Sequence, residues 1–119
     1  MFKDDATRLN HMLDAAHEAI EFAQGHARSD LESNRMLVLA LVKDIEIIGE
    51  AAYQVSTETR EQLPDIPWED IIGMRHRLVH AYFAINLDIL WRTVEEDLRP
   101  LVAKLREALE VIQAITTKE

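Results

Sequence analysis

Met36-Leu37-Val38-Leu39-Ala40-Leu41-Val42-Lys43-Asp44-Ile45-Glu46-Ile47-Ile48-Gly49-Glu50-Ala51-Ala52-Tyr53-Gln54-Val55 is the stretch on which the fold turns. Leu41, Ile45, Ile48, Ala52 and Val55 recur at spacings of four, three, four and three, which places them on one stripe of a helix. Met36, Val38, Leu39 and Val42 widen that stripe until the first half is apolar around most of its girth. A helix of this kind is central to a bundle or partly covered by a partner, and both are expected here. The run from Met36 to Val42 is far too short to cross a bilayer as a helix.

The flanks supply companions. Upstream, Leu9, Leu13, Ala16, Ile20 and Ala23 form a second amphipathic stripe, with Gly25 as its stop. Ser29-Asp30-Leu31-Glu32 has the pattern of a capping box and is expected to open the central helix. Downstream, Leu63-Pro64-Asp65-Ile66-Pro67 interrupts helical geometry, because the residue before each proline is pushed out of it. Trp68 is expected to anchor that connection on the core. A third helix then spans roughly Glu69 to Phe83, with Gly73 as a weak point or a site of close approach. Asn86 caps a fourth helix whose stripe runs Leu90, Val94, Leu98, Leu101, Leu105, Ala108 and Ile112, and Pro100 should kink or restart it. Alternating strand-length apolar runs are missing, so no sheet is expected. The expected fold is all-α: one domain over residues 1–119, an up-and-down four-helix bundle with a kinked last helix.

Composition narrows the function. The chain has 119 residues, 48% of them hydrophobic, which suffices for one core. It contains no cysteine, so disulfides, thiolate metal sites and cysteine nucleophiles are excluded. Met1-Phe2-Lys3-Asp4-Asp5 carries acids where a signal peptide needs apolar residues, so a cytoplasmic location without a membrane partner is expected. A net charge of −9 argues against a protein that grips nucleic acid over its whole surface. One segment stands apart: Ile71 to Leu87 holds no acid but carries Arg75, His76, Arg77 and His80. If the chain handles an anion, it does so there.

On a continuous helix, Arg75 and Tyr82 lie within about 20° of each other, and Arg75 and His80 about 140° apart. His76 and His80, four residues apart, share a face. Arg75 reaches His80 through its long side chain, or through a second copy across a two-fold axis.

The stretch Ile66-Pro67-Trp68-Glu69-Asp70-Ile71-Ile72-Gly73-Met74-Arg75-His76-Arg77-Leu78-Val79-His80-Ala81-Tyr82 resembles the signature of HepT-like HEPN proteins, the toxin halves of HEPN–MNT toxin–antitoxin pairs. Their motif of Arg, four residues, His, one residue, Tyr falls on Arg75, His80 and Tyr82 without gaps. Similarity continues through Ile45 to Ala52, Asn86 to Trp91 and Asp97 to Leu101. The residue after the motif Arg is commonly Asn in such proteins and is His76 here.

The resemblance implies an HEPN-like bundle, dimeric, acting as an endoribonuclease without metal or cofactor, its cleft shared by two motif helices. The chemistry is consistent with those residues. RNA carries its own nucleophile, the 2′-hydroxyl, so the enzyme has only to move protons and stabilise charge on phosphorus. Histidine does the first and arginine the second. His80 is assigned as general acid or base, Arg75 as phosphate clamp, and His76 in support. Arg77 is a candidate RNA contact. The resemblance further implies that an MNT nucleotidyltransferase antitoxin attaches AMP to Tyr82, which would set an anion beside Arg75 and block the groove.

Two other functions fit parts of the chain. Glu46 with Glu50, and His76 with His80, are each four apart and could build a metal site on facing helices; the Glu-x-x-His spacing of familiar di-metal bundles is absent. A non-catalytic interaction module would use the wide apolar face of the central helix.

Overall fold

The computed structural model describes residues 2–81 and 84–118, and the side chains of 4–78 and 84–115. Helix α1 spans Phe2–Ala23, α2 Arg35–Gln54, α3 Thr57–Gln62, α4 Trp68–Leu78, α5 Leu87–Arg92 and α6 Leu98–Lys118. The fold is an all-α HEPN-like bundle, as expected. Helices α1 and α2 pack along each other at its centre; α6 lies on α1 and α4 on α2. Leu41, Ile45, Ile48, Ala52 and Val55 of the α2 stripe are all buried, as are Leu90, Val94, Leu98, Leu101, Leu105, Ala108 and Ile112. In α1 the buried face is centred slightly to one side of the expected stripe. Leu9, Ala16 and Ala23 are buried together with Met12, Ala15 and Ala19, whereas Leu13 and Ile20 sit at the margin.

The ends of the elements have local causes. Gly25 takes φ 81°, the left-handed geometry that stops a helix, and His26 N–H closes the turn on the Ala23 carbonyl at 3.0 Å. Ser29 to Glu32 does not open α2; Arg28–Glu32 forms a separate 3-10 turn, and Asp30 accepts the Ala27 N–H at 2.8 Å. Helix α2 opens instead at Asn34, whose side chain accepts Leu37 N–H at 3.0 Å. The short α3 was not anticipated. Ser56 caps it by accepting Thr59 N–H at 3.2 Å, and the buried carboxylate of Asp5 ties that cap to α1. Asp5 accepts Ser56 N–H at 3.0 Å, the Ser56 hydroxyl at 2.8 Å and the Thr59 hydroxyl. Burial alone would raise the Asp5 pKa, but the bonds from Thr59 and Ser56 outweigh it and hold the group below its ordinary value. Trp68 anchors the proline connection as expected, buried and donating from Nε1 to the Leu63 carbonyl at 3.0 Å.

Two further expectations require correction. The third helix does not continue to Phe83: it ends at Leu78, and Val79–Ala81 (β1) pairs antiparallel with Ala84–Ile85 (β2). Val79, β-branched, stands opposite Ile85, and Asn86 N–H extends the reversal to the Leu78 carbonyl at 2.8 Å. This two-stranded ribbon is a local exception in an otherwise helical chain. The close approach of backbones is also not at Gly73 but at Gly49, where a Cβ would stand 3.4 Å from the Ile71 carbonyl oxygen of α4.

Asn86 caps α5 by accepting Ile89 N–H at 3.0 Å, as expected. Between α5 and α6 the chain stays helical but widens into a π turn over Thr93–Asp97. Pro100 lacks the N–H that would bond one turn back, and its ring crowds the carbonyl there, so the irregularity precedes it. The Thr93 hydroxyl, bonded to the Ile89 carbonyl at 2.7 Å, adds to the loosening. The run from α5 to α6 would be about 48 Å long as a regular helix. The molecule measures 51 Å along its longest axis.

Candidate functional site

The site grows from the last turn of α4, where Arg75, His76 and Arg77 are all exposed. Helix α4 packs on α2 at Gly49, where only a small residue fits, and this brings Arg75 beside Glu46. Arg75 Nε donates to Glu46 Oε1 at 2.9 Å, across 29 positions of sequence. The Arg75 side chain is 51% exposed and Glu46 27%, so the pair stands at the rim of the bundle with the arginine outermost. Glu46 is the acceptor paired with Arg75 among the described residues, and half of the arginine side chain faces outward. Its guanidinium is a fork of donors suited to two oxygens of one phosphate. Lys43 Nζ, 4.0 Å from Glu46 Oε2, offsets the same carboxylate from the other side.

A shallow groove runs from this pair along the α2–α4 seam, lined by Glu46, Gly49, Glu50, Tyr53, Gln54, Ile72, Arg75 and His76. Arg75 and His76 are thus brought together. Arg77 is not with them. It turns to the opposite flank of α4, where Nη2 donates to the Asp70 carbonyl at 3.2 Å and Nη1 stands 3.7 Å from Asp70 Oδ1. There it lines a separate groove with Glu96, Asp97 and Lys104.

The helix-wheel geometry derived for His80 and Tyr82 does not apply, because α4 ends before them. The His80 backbone lies in β1, and its side chain and the whole of Tyr82 fall outside the described residues. The metal reading loses its second pair for the same reason, since His76 and His80 do not share a helical face, and Glu46 is taken by Arg75. No group of three or more His, Asp or Glu side chains that could hold a metal converges among the described residues.

The family model described as "Ribonuclease HepT-like" matches residues 12–108. The chain belongs to the ribonuclease HepT-like family. Among its HepT-like relatives, "Putative RNase MJ1380" of Methanocaldococcus jannaschii is 33% identical over 92% of this chain and 97% of its own length. "Putative RNase TTE0752" of Caldanaerobacter subterraneus subsp. tengcongensis is 35% identical over 86% of this chain and 91% of its own. "Probable ribonuclease HepT" of Thermococcus cleftensis is 34% identical over 76% and 86%. No solved structure matches significantly.

Sequence reasoning missed the HepT-like chain's Glu46–Arg75 pair. In the sequence Glu46 paired with Glu50 as a candidate metal ligand, and only the packing of α4 on α2 reveals Arg75 as its partner. Tyr53, 71% exposed beside Arg75 and His76, was missed as well; its signal was a bulky aromatic outside the buried stripe of α2. No helix of the structure is long and apolar enough to cross a membrane among the described residues.

Proposed function

We propose that this protein is a metal-independent endoribonuclease and the toxin of a toxin–antitoxin pair. The observation that carries the reading is Arg75: exposed and anchored to Glu46 through Nε, in a HepT-like chain whose motif continues to His80 and Tyr82. In the proposed reaction the RNA 2′-oxygen attacks the adjacent phosphorus as a histidine removes its proton. The 5′-oxygen leaves with a proton from an acid, giving a 2′,3′-cyclic phosphate and a 5′-hydroxyl. His80 is one of these proton carriers, and His76, in the Arg75 groove, is the supporting candidate. Arg75 stabilises charge that develops on the phosphoryl oxygens. Arg77, drawn to Asp70, serves at most as an outlying RNA contact.

The active unit in this reading is a homodimer whose two motif segments share one cleft. Met36 and Leu39, 82% and 48% exposed at the start of α2, supply apolar surface for contact between copies. The proposed antitoxin is a nucleotidyltransferase of the MNT type. The Tyr82 oxygen attacks the α-phosphorus of ATP, pyrophosphate leaves, and the tethered AMP blocks the groove.

The test is incubation of purified protein with RNA in the presence of EDTA. Cleavage with cyclic phosphate ends is expected, and it should be lost in both Arg75→Ala and His80→Ala. Undiminished cutting by both variants would remove the assigned roles. A strictly monomeric species in light scattering that remains fully active would remove the shared cleft.

A further inference from the structure

We propose that the α2–α4 groove beside Arg75 is a subsite for one unpaired RNA base, stacked on Tyr53 and read by Glu50, with guanine preferred. This deepens the ribonuclease reading and rests on it. The groove encloses about 220 Å³, below the roughly 300 Å³ at which drug-sized ligand sites begin, so it suits a single ring system. Gly49 and Ile72 give its lining an apolar part. Tyr53 stands on the wall, 71% exposed, with its ring left uncovered by the bundle. An uncovered aromatic ring next to an arginine fork is the usual arrangement for single-stranded RNA, whose bases stack while the phosphate is clamped.

The charges sort which part of a nucleotide goes where. At one end, Arg75 presents its terminal nitrogens to a phosphate. At the other, Glu50 has no ion-pair partner among the described residues, whereas Glu46 is offset by Arg75 and Lys43. A free carboxylate repels phosphate and attracts N–H donors. What lies over Glu50 is therefore a base edge. Glu50 and Tyr53 are three apart on α2, and Gln54 follows one turn after Glu50, so stacking ring and acceptor face the same space. A carboxylate accepts best from two adjacent donors, and on the Watson–Crick edges of the four RNA bases only guanine offers such a pair, N1–H and N2–H.

The test is binding of fluorescein-labelled octauridylate carrying one central G, A or C, made 2′-O-methyl so that it cannot be cut, read by fluorescence anisotropy. Wild-type protein should prefer the central G. Tyr53→Ala should weaken binding about tenfold, while Tyr53→Phe, which keeps the ring, stays within about twofold. Glu50→Gln should erase the preference for G over A and C. Equal binding by Tyr53→Ala and wild type, a G preference that survives Glu50→Gln, or no binding by wild type would each overturn the subsite. Cleavage of the unmodified octamer by the same wild-type sample separates the two ideas. Cutting without base preference leaves the nuclease standing alone, and G-preferring binding without cutting leaves only the subsite. Both side chains are exposed, and circular dichroism of each variant checks that the bundle is intact.

Discussion

Asp44 offers a sharp test of how this bundle is balanced. Its carboxyl is 1% exposed between α1 and α2, and its Oδ2 has no hydrogen-bond partner among the described residues. Burial first, then a hydrogen bond to Glu18 and repulsion from it, push the pKa from 3.8 to about 7. A carboxyl raised in this way is protonated when folded and ionised when unfolded across that interval. The folded chain holds more protons, so stability is greatest at low pH and falls as pH rises through the folded value. Treated as one independent site, the shift removes about 4 kcal/mol at pH 7 and under about 2 kcal/mol at pH 5. Sharing of the proton with Glu18 lowers the pH 7 figure, to about 2–4 kcal/mol.

Asp44→Asn keeps the size and hydrogen-bonding capacity of the protonated acid but cannot ionise. It is expected to be about 2–4 kcal/mol more stable than wild type at pH 7, and at most about 1 kcal/mol more stable at pH 4.5. Urea denaturation followed by circular dichroism at pH 4.5, 6 and 7.5 measures both numbers. A variant less stable than wild type at pH 7.5, or a difference that does not change with pH, would refute the argument.

Other outcomes follow from the same geometry. Arg75→Ala should lower RNA cleavage by about 10²-fold or more, and Arg75→Lys should not restore it, because lysine has no Nε donor for Glu46 and no planar fork; single-turnover rates decide. Glu46→Gln removes an exposed ion pair worth at most about 1 kcal/mol, so thermal stability should hardly move while cleavage falls about tenfold from a misplaced guanidinium. Asp5→Ala should cost about 1–3 kcal/mol at neutral pH by releasing the α3 cap. Since the Asp5 pKa is lowered in the folded state, that cost is present above 3.8 and fades as pH falls through the folded value. Gly49→Ala should be within about 1 kcal/mol of wild type, its Cβ in ordinary contact with Ile71, whereas Gly49→Leu should cost about 1–3 kcal/mol by prising α4 from α2; melting temperatures compare them.

The amino-acid order alone determined the helical class, the buried stripes of α2 and of α5 through α6, and the caps at Gly25 and Asn86. These are local matters: a period of three to four in apolar residues, and a side chain that satisfies the nearest free backbone group. It also singled out Arg75 and His76 as members of a basic segment. Tertiary structure decided the rest, because it depends on contacts distant in sequence. Helix α4 stops at Leu78 since β1 finds β2, and that reversal voids any face drawn through residue 80. The segment free of acids in sequence is not free of them in space: α2 brings Glu46 to Arg75, and Asp70, Glu96 and Asp97 line the groove of Arg77. Which basic group remains available to an anion is therefore set by the packing of α4 on α2 at Gly49, where a large side chain would not fit.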